Sequence, residues 1–272
     1  MLTNIEVQKL ENLCHDFRLD LVHTLYRAQT GHPGGSLSCC ELITVLYQCF
    51  ISNEPDRNRF ILSKGHAAPM LYLNLIEKGW IAREELENFR QLGSVLQGHP
   101  CMHKIPGVDL STGPLGIGLG AACGMACADK MDGNDRKTYI LLGDGELQEG
   151  VVWEALMSAS KFQLSNLVII VDNNHVQLDG TNDEIMPMGD LQAKMASFGC
   201  AIQVCDGHDV NKVHNAILNA SSASEKPQVI LAQTVKGKGI SFMEGKSQWH
   251  GAPLSSSDYQ QAIEELGEKM HE

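Results

Sequence analysis

Two polar residues follow apolar runs in this chain: Asp144, inside Gly143-Asp144-Gly145, and Asn174, the last residue of Asp172-Asn173-Asn174. The runs before them, 137–142 and 166–171, read as buried strands. A carboxylate and an amide oxygen therefore emerge at successive strand ends. Oxygen ligands of this kind suit a hard cation such as magnesium or calcium, with phosphate oxygens and water completing the shell. Glycines on both sides of Asp144 permit close approach and unusual backbone angles. Gly145 also precedes a helix-like stretch whose free amides could meet a phosphate. Asp-Gly and Asn-Asn are equally ordinary turn chemistry, able to satisfy only their own loops.

Four of the 11 histidines sit among glycine and proline: His32 in GHPGG, His66 in KGHAAP, His99 in QGHP and His250 in WHGAP. Loops at strand ends carry function, so these four point to one converging polar site. Imidazole can bind phosphate, hydrogen-bond sugar hydroxyls or move protons near neutral pH. No pair among the four has zinc-finger or His-x-x-x-His spacing, which ranks zinc low. The remaining histidines are read as surface or packing residues.

The elements that must position these groups alternate. Apolar spacing of three and four predicts a helix over 4–30, stopped by the glycines and proline of 31–35. Ser38-Cys39-Cys40-Glu41 has capping-box form and opens a helix to about Phe50. Strands are predicted over 60–63, 137–142, 166–171, 201–205 and 228–234. Helices are predicted over 67–78, 119–130, 149–160, 190–198 and 209–222, with 92–118 rich in loops. Continuous apolar strands alternating with helices imply an α/β fold, a mainly parallel sheet with helices on both faces. Residues 1–272 read as a single domain, with a C-terminal tail from about 245.

Composition narrows the partners. With 33 acids against 21 bases and a net charge of −12, the chain lacks the basic balance of a general nucleic-acid binder. No apolar run approaches a membrane span, and the N-terminus has no signal-peptide form. Nine scattered cysteines, an odd number, are read as reduced and mostly buried thiols of a cytoplasmic protein.

At this point the sequence resembles the thiamine-diphosphate-binding part of a transketolase. GDGELQEGVVWEA followed by VDNNHVQLDG resembles the thiamine-diphosphate signature. GHPGG, LSKGHAAP, LQGHP, STGPLGIG, VKGKGISFME and WHGAP resemble transketolase motifs in the family's order, over nearly the whole chain. The resemblance implies a thiamine-diphosphate-binding fold and transfer of a two-carbon ketol unit between sugar phosphates. It implies thiamine diphosphate and Mg2+ (or Ca2+) as cofactors, with Asp144, Asn174 and the Val176 carbonyl as metal ligands. His66, Gly113, Leu115, Gly145, Asn174, Lys236 and His250 match cofactor-binding positions. His32, His99 and His250 match histidines facing the sugar's reacting hydroxyls. Glu149 and Glu154 match acids in a network linking paired active sites.

A full-length transketolase continues into two further domains, whereas this sequence stops soon after WHGAP. The resemblance therefore implies the N-terminal subunit of a split transketolase. The other half would be a separate C-terminal subunit carrying the ring-activating glutamate, with two copies of each chain in the assembly. One departure stands at Ile117, where the family has glutamine. Other readings are a deoxyxylulose-phosphate synthase-like protein, a non-catalytic regulatory module with this fold, and a nicotinamide-binding domain. The last lacks a Gly-x-Gly-x-x-Gly after its first strand.

Overall fold

The computed structural model of the chain describes residues 2–223 and 225–268. In chain order the elements are α1 (Asn4–Ala28), α2 (Pro33–Ser38), α3 (Cys40–Cys49), β1 (Arg59–Leu62), α4 (Ala68–Glu77), α5 (Ile117–Met131), β2 (Thr138–Gly143) and α6 (Gly150–Lys161). They continue as β3 (Leu167–Asn173), α7 (Asn182–Ile185), α8 (Leu191–Ser197), β4 (Ala201–Asp206), α9 (Val210–Ser221), β5 (Gln228–Gln233) and α10 (Ser256–Glu268). All pairings in the five-stranded sheet are parallel, and its order is β1-β2-β3-β5-β4.

The apolar strands are covered on both faces, so successive side chains enter different cores. Tyr139, Leu141, Val168, Ile170 and Ile230 join α1, α3, α4 and α9 on one face. Ile140, Leu142, Ile169, Val171 and Val229 join α5, α6 and α8 on the other. This is the α/β architecture expected from the sequence. Strand β4 lies at the edge and is only partly buried.

Two local expectations require correction. The GHPGG stretch does not simply end a helix. Gln29 adopts a left-handed conformation after α1, and Pro33 then starts α2 in its first turn. Proline suits that place because the first helical N–H needs no partner within the helix. Ser38 does not cap α3, whose N-cap is Cys39 without a side-chain hydrogen bond. Its hydroxyl instead donates to Asp172 Oδ1 at 2.6 Å. The segment after residue 245 contains α10, which packs against α1 through Tyr26 stacked on Tyr259, centroids 4.1 Å apart.

Candidate active site

The polar groups meet at the carboxyl ends of β1, β2, β3 and β5, where a parallel sheet opens a crevice. There a cavity of about 220 Å³ is lined by Lys64, His66, Leu115, Asp144, Gly145, Glu149, Asn174, Val176, Lys236 and His250, among others. A larger cavity of about 520 Å³ lies beside α1 and contains none of the candidate residues. The smaller one gathers the polar candidate residues.

His66 and His250 form one wall of the cavity, with ring centroids 4.9 Å apart. His32 is 5.4 Å from His66, 5.5 Å from His250 and 6.4 Å from His99. The four histidines from four separate loops thus form one cluster. Burial, reinforced by Arg90 and neighbouring cations, lowers His32 to about 4. Burial and Lys236 lower His250 to about 3. Burial, then Lys64, holds His66 well below the ordinary histidine value, and burial with Arg90 lowers His99. These rings are neutral at pH 7.

Asp144 is buried. Its Oδ1 accepts from the Gly145 amide at 2.8 Å and its Oδ2 from the His175 amide. Burial, then the nearby Asp172 carboxylate, pushes its pKa up. Among the described residues no ion pair reaches it. Asn174 is oriented from behind: its Nδ2 donates to Ser38 Oγ at 3.1 Å and Asp172 Oδ2 at 3.3 Å. That leaves Oδ1 as its acceptor, taking the Val176 amide at 3.0 Å. The Val176 carbonyl receives the Lys236 ammonium at 3.1 Å. Lys236 also donates to the Gln177 carbonyl at 3.0 Å and to His250 Nδ1 at 2.9 Å, which puts the neutral ring's proton on Nε2. Burial and Lys64 bring Lys236 down to about 8.

The Asp144 carboxylate, the Asn174 amide oxygen and the Val176 carbonyl line one cavity, an all-oxygen set whose buried carboxylate has no ion pair among the described residues. That combination fits a hard divalent cation. The stretch after Gly145 is a single 3-10 turn, Gly145–Gln148, and α6 begins only at Gly150.

Gly113 packs against the His99 ring, where an added Cβ would lie 3.4 Å from the ring carbon. Leu115 and Glu149 line the cavity. Glu154, farther along α6, is exposed and outside the cavity wall. Ile117 is 57% exposed at the start of α5.

Sequence reasoning gave no role to two buried supports. Lys64 pairs with Asp172 and donates to the Gly35 carbonyl at 3.0 Å. Asp172 also accepts from Thr234 and Ser38. Although burial opposes its charge, Lys64 holds the Asp172 pKa low. Glu146 accepts from Ser63, from the Gly116 amide at 2.8 Å and from the Gly143 amide at 3.0 Å. It therefore joins the ends of β1 and β2 to the loop before α5. A charged residue completing an otherwise apolar strand was the available signal for Asp172.

Comparison with known proteins decides the family: the transketolase family's thiamine diphosphate binding domain matches residues 10–272. The chain belongs to the transketolase family. It is 38% identical over 272 residues to an apulose-4-phosphate transketolase subunit of Phocaeicola vulgatus, covering 98% of this chain and 96% of that protein. It is 38% identical to the 6-deoxy-6-sulfo-D-fructose transketolase subunit SqwG of a Clostridium species, with 96% of each chain covered. Human transketolase is 39% identical over 268 residues, covering 96% of this chain but 42% of the human protein. The Campylobacter jejuni transketolase crystal structure aligns with a TM-score of 0.87 and 33% identity, over 98% of this chain and 43% of that one. The chain thus spans less than half of these longer transketolases but nearly all of the two relatives named as subunits. This pattern agrees with the sequence-based reading of the chain as the N-terminal subunit of a split transketolase. No helix among the described residues is long and apolar enough to cross a membrane.

Proposed function

We propose that this chain binds thiamine diphosphate through Mg2+ (or Ca2+) held by Asp144, Asn174 and the Val176 carbonyl. With a separate C-terminal subunit it transfers a two-carbon ketol unit between sugar phosphates. The observation that carries this reading is the meeting of those three oxygens with Lys236, His66 and His250 in one strand-end cavity. Residues 1–272 act as one diphosphate-binding domain, with a tail from about 245, in a cytoplasmic enzyme.

Bound thiamine diphosphate supplies the electron sink for breaking and forming the carbon–carbon bond. The chain's own residues bind and orient. The Gly145 amide, His66 and Lys236 face the diphosphate, whose negative charge favours the protonated form of Lys236. Backbone at Gly113 and Leu115 meets the aminopyrimidine. His32 and His99 are neutral, so each offers one nitrogen to accept and one to donate at the sugar's reacting hydroxyls, whereas His250, its Nδ1 taken by Lys236, offers its Nε2–H. Glu149 and Glu154 belong to the contact with a second copy, and the assembly holds two of each chain.

The relatives named as subunits support the partner. Their names cite a sugar phosphate and a sulfonated ketose, each with an anionic group. The same pattern suits an anionic sugar here.

Calorimetry on the assembled enzyme with magnesium tests the cation site. Asp144→Ala is expected to weaken thiamine diphosphate binding by about 100-fold, the scale of ~2–3 kcal/mol for a lost charged ligand. Unchanged affinity contradicts the metal assignment.

A further inference from the structure

Arg90 bridges two of the histidine loops. Its backbone is left-handed, at φ 61°, and its N–H closes the loop onto the Leu96 carbonyl at 2.8 Å. Nη1 of its guanidinium donates to Thr30 Oγ1, two residues before His32. The rest of the guanidinium lies against Gly98, one residue before His99. A Cβ on Gly98 would stand 2.2 Å from Nη2, 2.5 Å from Nε and 2.7 Å from Cζ. Glycine at 98 therefore makes room for the guanidinium. Among the described residues no carboxylate pairs with Arg90.

We propose that Arg90 is a positioning residue whose guanidinium fastens the His32 loop to the His99 loop and so fixes the spacing of the two imidazoles. The ketol-transfer reading enters only in saying what those imidazoles face. The extended planar guanidinium reaches Thr30 with one nitrogen while its other atoms lie along Gly98, a span that a compact lysine ammonium lacks. The charge has its own consequence, because a cation beside an imidazole disfavours its protonated form. His32 faces Arg90, Lys236, Lys64 and the rings of His66, His99 and His250. His99 faces Arg90 and His32.

The test combines histidine ring NMR on the full chain with steady-state kinetics on the enzyme assembled with its partner. Arg90→Gln removes the guanidinium. Gly98→Ala displaces it while keeping Arg90 in the sequence. Both variants are expected to raise the titration midpoints of His32 and His99 by about half a pH unit or more. Both variants are also expected to lower kcat/KM by about tenfold, the scale of a small misplacement, with cofactor affinity unchanged. The double variant is expected to be no worse than either single one, because both remove the same staple. Arg90→Lys keeps the charge but not the span, so it retains the kinetic defect with near-native titrations. Unmoved His32 and His99 midpoints in both single variants overturn the proposal, as does native kcat/KM in Gly98→Ala. If the unmodified assembly shows no ketol transfer, the functional reading fails, while the titrations still decide the role of Arg90.

Discussion

Neutral imidazoles define what His32, His66, His99 and His250 can do. His99 is the least enclosed test of their division of labour, because it packs on Gly113 and lies outside the cavity wall formed by His66 and His250. His99→Ala is expected to lower turnover or raise KM while leaving thiamine diphosphate affinity nearly native. Titration calorimetry beside initial-rate kinetics separates the two effects, and a cofactor-binding loss that explains the whole defect would remove His99 from the sugar's side. The sequence made these four residues visible because glycine and proline surround each of them. It could not make Arg90 visible, because the staple depends on where residues 30 and 98 meet in space.

At the scale of elements, apolar continuity exposed every strand, and the observed bounds differ from those expected by only a few residues. The short helix α2 escaped because its six residues, PGGSLS, carry breakers and too few positions for a period. Ser38 shows the limit of local motif reading: its capping-box pattern is present, but Asp172, 134 residues away, takes the hydroxyl. That contact belongs to a buried support under the ends of β1, β3 and β5, built from Lys64, Asp172 and Thr234. Asp172→Ala leaves the Lys64 ammonium buried without its countercharge. We expect a stability loss of about 3–5 kcal/mol, measured as a lowered midpoint of urea unfolding. A midpoint within error of the native chain contradicts a supporting role for the pair.

At the scale of the whole molecule, the depressed histidines couple stability to pH. Their ordinary value is 6.5, and folding lowers His32 to about 4 and His250 to about 3. As pH falls below 6.5, the unfolded chain takes up protons that the folded chain does not. Their stabilising contribution is complete above 6.5 and declines as pH falls toward those folded values. Thermal unfolding should show a falling Tm from pH 6.5 to 5, with a shallower slope in His32→Asn and His250→Asn. An unaltered slope in both variants contradicts the buried neutral cluster.

The molecule gathers candidate oxygen ligands, a lysine and four histidines at its strand ends. The two relatives named as subunits cover nearly the same length, which supports completion by a second chain. The most direct measurement is a ketol-transfer assay of the purified chain with and without its companion, in the presence and absence of thiamine diphosphate and magnesium. Transfer by the chain alone is expected to be negligible, and the companion restores it only when cofactor and metal are supplied. Robust turnover by the isolated 272-residue chain contradicts it.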